Sequence, residues 1–460
     1  MASGEPTVQT APVQRVILAM VAIRVVAALL MVVGPWTDSP DELAGWDVER
    51  FQAIADADGR PWVDEPVEYP PGSVALIEGL DRGDVVGTHR ALVLASLAVD
   101  LAVAFAVGAL GGRRAAAAYL VLGLPLVPMG LLRFDLWATL PAVLAVAALQ
   151  QRRGGAFALF ATAGAMVKVW PGLLLVAAAA IGRWGAATAG AVLMAVAGVV
   201  WIGWAGWSLE PIEQVTSMRG AVGWHVESIP GSITALVTDD EATLQQNAYR
   251  IGGLDERLVL AGRVLTVVVA VAAAGFAIRN RRRAGTAPDL APTVGAPGDT
   301  ATVALVLTAA VGALLLTSPL LSPQFLLWLT PWVALAPPSS GGTAAGAAPR
   351  PSAAERNAGP IAVLRERGAD WPTMWWPAFA ATALTGVTLA RFTPSGLAET
   401  TPALLLLGRD ALLVLVVVLA LGRLWSGPID PGDAAPADGE VVDRADEEAV
   451  DGAQAERKMR

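Results

Sequence analysis

The sequence has no cysteine, only two histidines and two lysines among its 460 residues, and only 16% of its side chains are charged. Without cysteine, disulfide frameworks, thiol nucleophiles and thiolate-bound metals are excluded. Soluble domains carry about a quarter charged residues, so this composition argues against a soluble enzyme. The formal net charge is -9, which leaves no basic face for nucleic acid.

The sequence is instead rich in apolar blocks of a length that crosses a bilayer as a helix. Hydrophobic residues make up 55% of the chain, and the mean hydropathy is +0.54. We predict an all-α polytopic membrane protein with about 12 transmembrane helices. The predicted blocks lie at 16–33, 88–110, 115–132, 134–149, 155–182 (two short helices), 186–206, 258–278, 301–318, 324–336, 373–391 and 402–422.

Charge in the connecting loops predicts the orientation. Basic loops stay in the cytoplasm, and arginines occur in pairs or runs at 113–114, 152–153 and 279–283. This places two large loops, 35–84 and 207–257, outside the cell and both termini in the cytoplasm. Residues 35–84 contain 13 acidic and 3 basic side chains, as expected for an outer loop.

The same alternation requires residues 155–182 to cross out and return, so we predict two short helices there. The reversal falls at residues 167–172, where Pro171 and Gly172 disfavour a continuous helix. The predicted membrane core is residues 1–336, followed by a disordered cytoplasmic linker at 337–370. C-terminal helices at 371–424 and a disordered acidic cytoplasmic tail at 425–460 complete the chain.

The first outer loop contains a candidate catalytic carboxylate. Val48, Phe51 and Ile54 recur at helical spacing, which predicts a short amphipathic helix on the membrane surface with Asp47 in its first turn. An ordinary alternative is that Asp47 only offsets the helix dipole and that Arg50 is a solvated neighbour.

Lys168 lies within an apolar stretch at the predicted outer face. Burying a lysine near a helix centre costs roughly 2.5 to 3.5 kcal/mol on insertion scales, so such a residue usually has a partner. An ammonium there can hold a phosphate. The alternative is that Lys168 snorkels to the headgroups without a ligand. Arg133 and Asp135 occupy a short outer turn at a similar level, either solvated or partnered elsewhere.

Further polar residues of the outer face also have ordinary interpretations. Glu68 and Tyr69 precede a rigid Pro70-Pro71-Gly72 turn, in which the tyrosine can be an interfacial anchor. His225 and Glu227 lie in the second outer loop, where the histidine needs no role beyond hydrogen bonding. Other candidates are Arg219, in the same loop, and Gln324, at the start of the block 324–336.

Several of these motifs, in order, resemble the GT-C membrane glycosyltransferases, most closely the glycosyltransferase 87 group, which includes actinobacterial mannosyltransferases. The motifs that carry the resemblance are Asp47-Val48 with Arg50-Phe51, Val67-Glu68-Tyr69-Pro70-Pro71-Gly72, Phe134-Asp135-Leu136, Val167-Lys168-Val169-Trp170-Pro171, Arg219 with Val226-Glu227-Ser228, and Ser322-Pro323-Gln324-Phe325-Leu326-Leu327-Trp328.

The resemblance implies an inverting transfer of a sugar, with mannose favoured, from a polyprenyl phosphate to a hydroxyl of a cell-envelope glycolipid or glycan. Asp47 matches the general base. Lys168, Arg219 and Arg133 match groups that bind the donor phosphate. The sugar or acceptor pocket then contains Glu68, Tyr69, Asp135, His225, Glu227 and Gln324.

The resemblance also implies a bacterial cytoplasmic membrane with the active site on its outer side. No covalently bound cofactor and no protein metal site are expected, while assistance by a divalent cation, the acceptor and the oligomeric state stay open. Two other classes remain: a lipid or solute transporter with charged residues along its path, and a noncatalytic envelope scaffold.

Overall fold

The fold is that of a computed structural model, which describes residues 11–34, 45–216, 222–245, 248–285, 297–336, 373–392 and 399–426. The α-helices in these ranges are α1 Ala11–Val33, α2 Gly45–Ala55, α3 Pro71–Leu80, α4 Val85–Leu122, α5 Val127–Leu131, α6 Asp135–Gln150, α7 Gly154–Val167, α8 Leu173–Ala180, α9 Trp184–Trp204, α10 Glu210–Thr216, α11 Ile229–Val237, α12 Glu256–Gly285, α13 Pro297–Thr317, α14 Thr330–Leu335, α15 Trp375–Arg391 and α16 Thr400–Ser426.

Long apolar helices confirm the predicted all-α polytopic class. Within the described ranges, six helices are long and apolar enough to span a membrane: α1, α4, α9, α12, α13 and α16. A bent pair, residues 124–131 with α6, is a further candidate, with an angle of 110° between its arms. The chain is therefore a multi-pass membrane protein, and the count of about 12 spans stays a prediction.

Helix α4 is two antiparallel arms joined at Gly112, whose φ of 77° and ψ of 178° are not helical. A Cβ placed on Gly108 would lie 3.2 Å from the Cβ of Ala116, a contact that only a sharp reversal allows. The predicted break between blocks 88–110 and 115–132 is at this reversal. The arms are joined in the interior, where the Tyr119 hydroxyl donates to Asp100 at 2.5 Å.

Two predicted spans are not continuous helices. The block 115–132 ends as a helix at Leu122 and continues as a 3₁₀ turn over 124–126 and the five-residue α5. The block 324–336 is a 3₁₀ segment over 323–328 followed by the six-residue α14. Prolines within both blocks lack the N–H that a continuous helix needs, and hydropathy alone did not reveal this.

The predicted pair of short helices within 155–182 is present as α7 and α8. Helix α7 ends at Val167, and Lys168 follows in extended backbone, with φ -146° and ψ 139°. A 3₁₀ turn over Trp170–Gly172 then leads into α8. Because α7 is about 21 Å long at 1.5 Å per residue, Lys168 and Gly154 lie at opposite ends of the bundle.

The two large loops have structure of their own. The first contains α2 and α3, and the second contains α10, α11 and three short strands: β1 Trp224–His225, β2 Thr243–Gln245 and β3 Ala248–Ile251. The strands form an antiparallel sheet in the order β1-β3-β2. The sequence did not reveal this sheet, because its strands are only two to four residues long.

The C-terminal part adds α15 and α16, which pack on each other and on the preceding helices. Helix α16 begins at Thr400 and ends at Ser426, two residues beyond the predicted domain boundary. The predicted disordered linker at 337–370 and the tail beyond 426 lie outside the described residues.

Candidate functional site

The predicted surface helix exists as α2, with Asp47 in its first turn. Val48, Phe51 and Ile54 form its buried face, so the amphipathic spacing places Asp47 beside the bundle. The carboxylate is not free in solvent: its Oδ2 lies 2.5 Å from Nη2 of Arg133. Asp47 therefore does more than offset a helix dipole.

Arg133 lies in the turn before α6 and contacts Asp47 at the start of α2. It thereby connects the predicted phosphate-binding residues with the predicted base. Burial opposes its charge, yet the negative charge of Asp47, with smaller contributions from Asp135 and Glu227, raises the pKa of Arg133 above its ordinary value. Arg133 is therefore a permanent cation surrounded by predicted site residues. Its Nε is buried and has no hydrogen-bond partner among the described residues.

Arg50 is not a solvated neighbour of Asp47, as the alternative supposed. Its Nη2 lies 3.1 Å from Oε2 of Glu68 and donates to the carbonyl of Pro66 at 2.6 Å. Arg50 of α2 therefore binds the segment that precedes the Tyr-Pro-Pro turn, and the Glu68 carboxylate is one of its two partners there.

Trp62 and Gln214 fix the backbone before this turn. The Trp62 indole is buried and donates to the carbonyl of Tyr69 at 3.1 Å. Gln214 of α10 accepts from the Val67 N–H at 2.8 Å and donates to the Trp62 carbonyl at 3.2 Å. The second outer loop therefore supports the first.

The turn at Pro70-Pro71-Gly72 is packed against the end of α7. A Cβ at Gly72 would lie 2.7 Å from the carbonyl oxygen of Met166, so only glycine permits this approach. The Ser73 hydroxyl donates to the carbonyl of Val167 at 2.7 Å. Both contacts are with the last residues before Lys168, and they place the turn beside the lysine.

Lys168 lies between two aromatic rings from distant parts of the chain. Its Nζ is 5.2 Å from the ring centroid of Tyr69 and 5.9 Å from that of Phe325. Cation–π attraction of this kind is worth about 0.5–2 kcal/mol. No carboxylate lies within ion-pair distance of Lys168 in the part of the chain that the structure describes, so its charge is not neutralised by a described acid.

Asp135 is fully buried at the start of α6. Its Oδ1 accepts a hydrogen bond from Nε1 of Trp328 at 2.7 Å. The Trp328 ring is stacked between Phe325 and Trp170, at centroid distances of 4.3 and 5.7 Å. Asp135 therefore fixes the aromatic stack beside Lys168, and it is neither solvated nor paired with Arg133.

Glu227 is buried between two arginines. Nη1 of Arg409, in α16, lies 3.7 Å from its Oε2, and Arg409 also donates to the Glu227 carbonyl. Asp410 holds the same guanidinium at 2.7 Å. Burial raises the pKa of the Glu227 carboxyl to about 7, because the nearby charges of Arg409 and Arg133 offset only part of the lost hydration.

His225 is half-buried two residues before Glu227 and accepts from the Glu227 N–H through Nδ1 at 3.3 Å. Burial, together with the positive charges of Arg250, Arg133 and Arg409, lowers the pKa of His225 to about 3. The imidazole is therefore neutral at physiological pH.

Of the remaining predicted residues, one makes only a local hydrogen bond and one lies outside the described residues. Gln324 is buried, and its Oε1 accepts from the Ser322 hydroxyl at 2.8 Å. Arg219 lies outside the described residues. Among the residues with described positions, no three His, Asp or Glu side chains are grouped closely enough to hold a metal ion.

Two charged clusters were missed in the sequence. Arg409 and Asp410 lie in the apolar block 402–422, and Arg24 lies in the first block, where it binds Asp100 at 2.7 Å. The rule that singled out Lys168, a charge within an apolar stretch, applies equally to them.

No family model matches the sequence, and no curated protein is significantly similar to it. Among solved structures, the chain is similar to ArnT from Cupriavidus metallidurans in the apo state, with 14% sequence identity and a TM-score of 0.41. The similarity covers 89% of this chain and 78% of that one. A likeness of this degree identifies neither an activity nor a residue's role.

Proposed function

We propose that the chain is an inverting GT-C glycosyltransferase that moves a sugar, with mannose favoured, from a polyprenyl phosphate to a hydroxyl of an envelope glycolipid or glycan. One observation carries the proposal: a carboxylate, Asp47, and a lysine without an acidic partner among the described residues, Lys168, belong to one cluster. The link between them is Phe51 of α2, whose ring centroid lies 5.7 Å from that of Tyr69.

The two groups suit the two halves of the reaction. Asp47 accepts the proton of the acceptor hydroxyl as that oxygen attacks the anomeric carbon. The bond from this carbon to the phosphate oxygen breaks, its electron pair stays on the phosphate, and the configuration at the carbon inverts. Lys168 binds the phosphate and stabilises its growing negative charge.

Arg133 has a different place in this proposal from the one that the sequence resemblance implied. Its Nη2 contacts Asp47, so it orients the base. Its buried Nε has no hydrogen-bond partner among the described groups and is available to a donor phosphate oxygen. Arg219 remains a proposed phosphate ligand on the strength of the resemblance alone.

The other predicted residues shape the pocket around these groups. Tyr69 is one wall of the lysine site, and Asp135 positions the aromatic stack. Neutral His225 and the carboxyl of Glu227 offer hydrogen bonds to sugar or acceptor hydroxyls, while Glu68 and Gln324 support the surrounding backbone.

We propose that the cluster lies on the outer side of a bacterial cytoplasmic membrane with both termini inside. It is at the end of the bundle opposite the arginine-rich turns, which the positive-inside rule predicts to be cytoplasmic. The polyprenyl-phosphate donor reaches it from the bilayer. The acceptor is a membrane glycolipid or a glycan at the same surface.

The test is sugar transfer by membranes that contain wild-type protein or Asp47→Asn at matched abundance. Labelled polyprenyl-phosphate mannose and arabinose serve as donors, with native envelope lipids as acceptors. We expect Asp47→Asn to lower transfer by about 10²- to 10⁴-fold, the usual contribution of a general base.

The matched control is Asp58→Asn, an exposed acid of the same loop, which should keep wild-type transfer. Equal transfer by the wild type and Asp47→Asn would remove Asp47 as the base. If wild-type membranes transfer neither sugar but move the labelled lipid across the bilayer, the transporter alternative replaces the enzyme.

A further inference from the structure

Two similar turns lie at the end of the bundle opposite Lys168. One joins α6 to α7 through Arg152, whose φ is 58°, and the other joins α8 to α9 through Gly182, whose φ is 76°. After each left-handed residue, the next N–H donates to the carbonyl five residues earlier, at 2.9 Å in both turns: Arg153 to Ala148 and Arg183 to Ala178. Each turn therefore ends one helix and starts the next in the same way.

The repetition brings two helix N-termini together. Helices α7 and α9 pack along each other, and a Cβ on Gly154 would be 3.6 Å from the Cβ of Ala186. Neither helix has a side-chain cap: the N-cap residues are Arg153 and Arg183, and neither accepts a hydrogen bond from the first turn. Two sets of first-turn N–H groups, which have no acceptor within their own helix, and two positive dipole ends therefore face the same region.

Arginines add to this positive charge instead of offsetting it. Nε and Nη2 of Arg183 are buried and have no hydrogen-bond partner among the described residues. The closest described carboxylate, that of Asp299, is 3.9 Å from Arg183 and is shared with Arg281 at 3.5 Å. Among the described residues, a single acid therefore faces two arginines and two helix ends, which leaves an excess of positive charge in this part of the structure.

A cavity of about 330 Å³ lies at this position, lined by both turns, including Arg152, Arg183 and Trp184. Gly185 also lines it, and no atom lies within 4 Å of where its Cβ would be. Trp184 is largely exposed, as is common for tryptophan at the level of the lipid headgroups.

We propose that this cavity, which we name the paired-turn cavity, binds the phosphate of an anionic phospholipid headgroup. Helix N-termini and arginines both donate to phosphate oxygens, and basic pockets at the cytoplasmic ends of membrane helices bind anionic headgroups. Helix α7 separates the cavity from Lys168 by about 21 Å. The proposal therefore does not depend on the proposed enzymatic function.

The test is a binding measurement with the full-length protein in nanodiscs or detergent. The probes are phosphatidylglycerol, zwitterionic phosphatidylcholine and inorganic phosphate. We expect saturable binding of phosphatidylglycerol, no comparable binding of phosphatidylcholine, and about tenfold weaker phosphatidylglycerol binding in Arg183→Gln, since a charged hydrogen bond is lost. The matched control is Arg113→Gln, an exposed arginine in the α4 reversal, which should bind as the wild type does.

A second variant distinguishes loss of the binding site from misfolding of the protein. Gly185→Asp introduces a carboxylate where there is space for it, so it should abolish lipid binding while keeping or raising the melting temperature. Wild-type affinity in both Arg183→Gln and Gly185→Asp would overturn the site. Binding of inorganic phosphate that both variants lose, without binding of the lipid, would support the anion site and overturn the lipid as its source.

Discussion

Glu227 and His225 show how one poorly hydrated environment shifts the pKa values of an acid and a base in opposite directions. Loss of hydration disfavours the charged form of each, so the pKa of the acid rises to about 7 and that of the base falls to about 3. Two residues apart, both groups are therefore biased toward neutrality, although arginines surround them.

The raised pKa of Glu227 predicts a pH-dependent stability. The folded-state pKa of about 7 lies above the ordinary glutamate pKa of 4.5, so the folded state is favoured below pH 4.5 and loses this advantage as pH rises to 7. Glu227→Gln cannot ionise. The stability of the wild type relative to this variant should therefore fall by about 3 kcal/mol between pH 4.5 and pH 8.

Thermal unfolding of the two proteins in detergent at both pH values measures this difference. Glu241→Gln, an exposed acid of the same loop, is the control and should show a much smaller change between the two pH values. A constant difference between wild type and Glu227→Gln across this range would contradict the buried, hard-to-ionise carboxyl.

At the scale of residues, the sequence singled out Asp47 and Lys168 as candidates but did not indicate what they contact. Local signals revealed both: helical spacing for Asp47, and a rare lysine in an apolar stretch for Lys168. The partners lie far along the chain, with Arg133 86 positions from Asp47. Glu227 and Arg409 are 182 residues apart, a distance at which no pattern in one sequence indicates contact.

At the scale of elements, the junction of α3 with α7 depends on one glycine. The Cβ of Gly72→Ala would meet the backbone of Met166 at 2.7 Å, so one helix must shift, and Lys168 follows two residues later. We expect a loss of about 1–3 kcal/mol in stability, as for overpacking of a core, together with reduced sugar transfer.

The chain offers a matched control in the same helix, since a Cβ at Gly79 would meet no atom within 4 Å. Gly79→Ala should leave transfer unchanged and stabilise the protein slightly through helix propensity. Melting temperature and transfer rate distinguish the pair, and equal behaviour of the two variants would mean that the close approach at Gly72 is unimportant.

Element boundaries were predictable where helix-breaking residues interrupted a short apolar stretch. The break at 167–172 was predicted because alternation of the loops also required it. In the blocks 115–132 and 324–336, the prediction gave high hydropathy more weight than similar prolines, and neither block is a continuous helix. The small sheet depends on pairing across the second outer loop, and its strands are too short for a periodic signal.

At the scale of the whole molecule, the positive-inside rule predicts which end of the bundle faces the cytoplasm. The absence of cysteine makes this directly measurable, because any introduced cysteine is the only thiol. Asp58→Cys and Arg113→Cys both alter exposed residues. A membrane-impermeant maleimide should label Asp58→Cys in intact spheroplasts and Arg113→Cys only after permeabilisation.

Detergent-solubilised protein is the control for reactivity, since both thiols should then be labelled equally. Labelling of Arg113→Cys alone in intact spheroplasts would reverse the orientation and move the proposed active site to the cytoplasm. Sugar transfer would then need a donor on the inner leaflet, a change that the Asp47→Asn assay by itself does not reveal.

The exposure of Val169, which follows Lys168, indicates how a substrate reaches the site, and not only how tightly it binds. Val169 is 60% exposed in the described chain, so the lysine lies at the periphery of the bundle. A substrate dissolved in the bilayer arrives there by diffusion in two dimensions. For the polyprenyl-phosphate donor that we propose, occupancy then follows the mole fraction of that lipid in the membrane, and we expect the rate of sugar transfer to depend on the lipid composition of the leaflet.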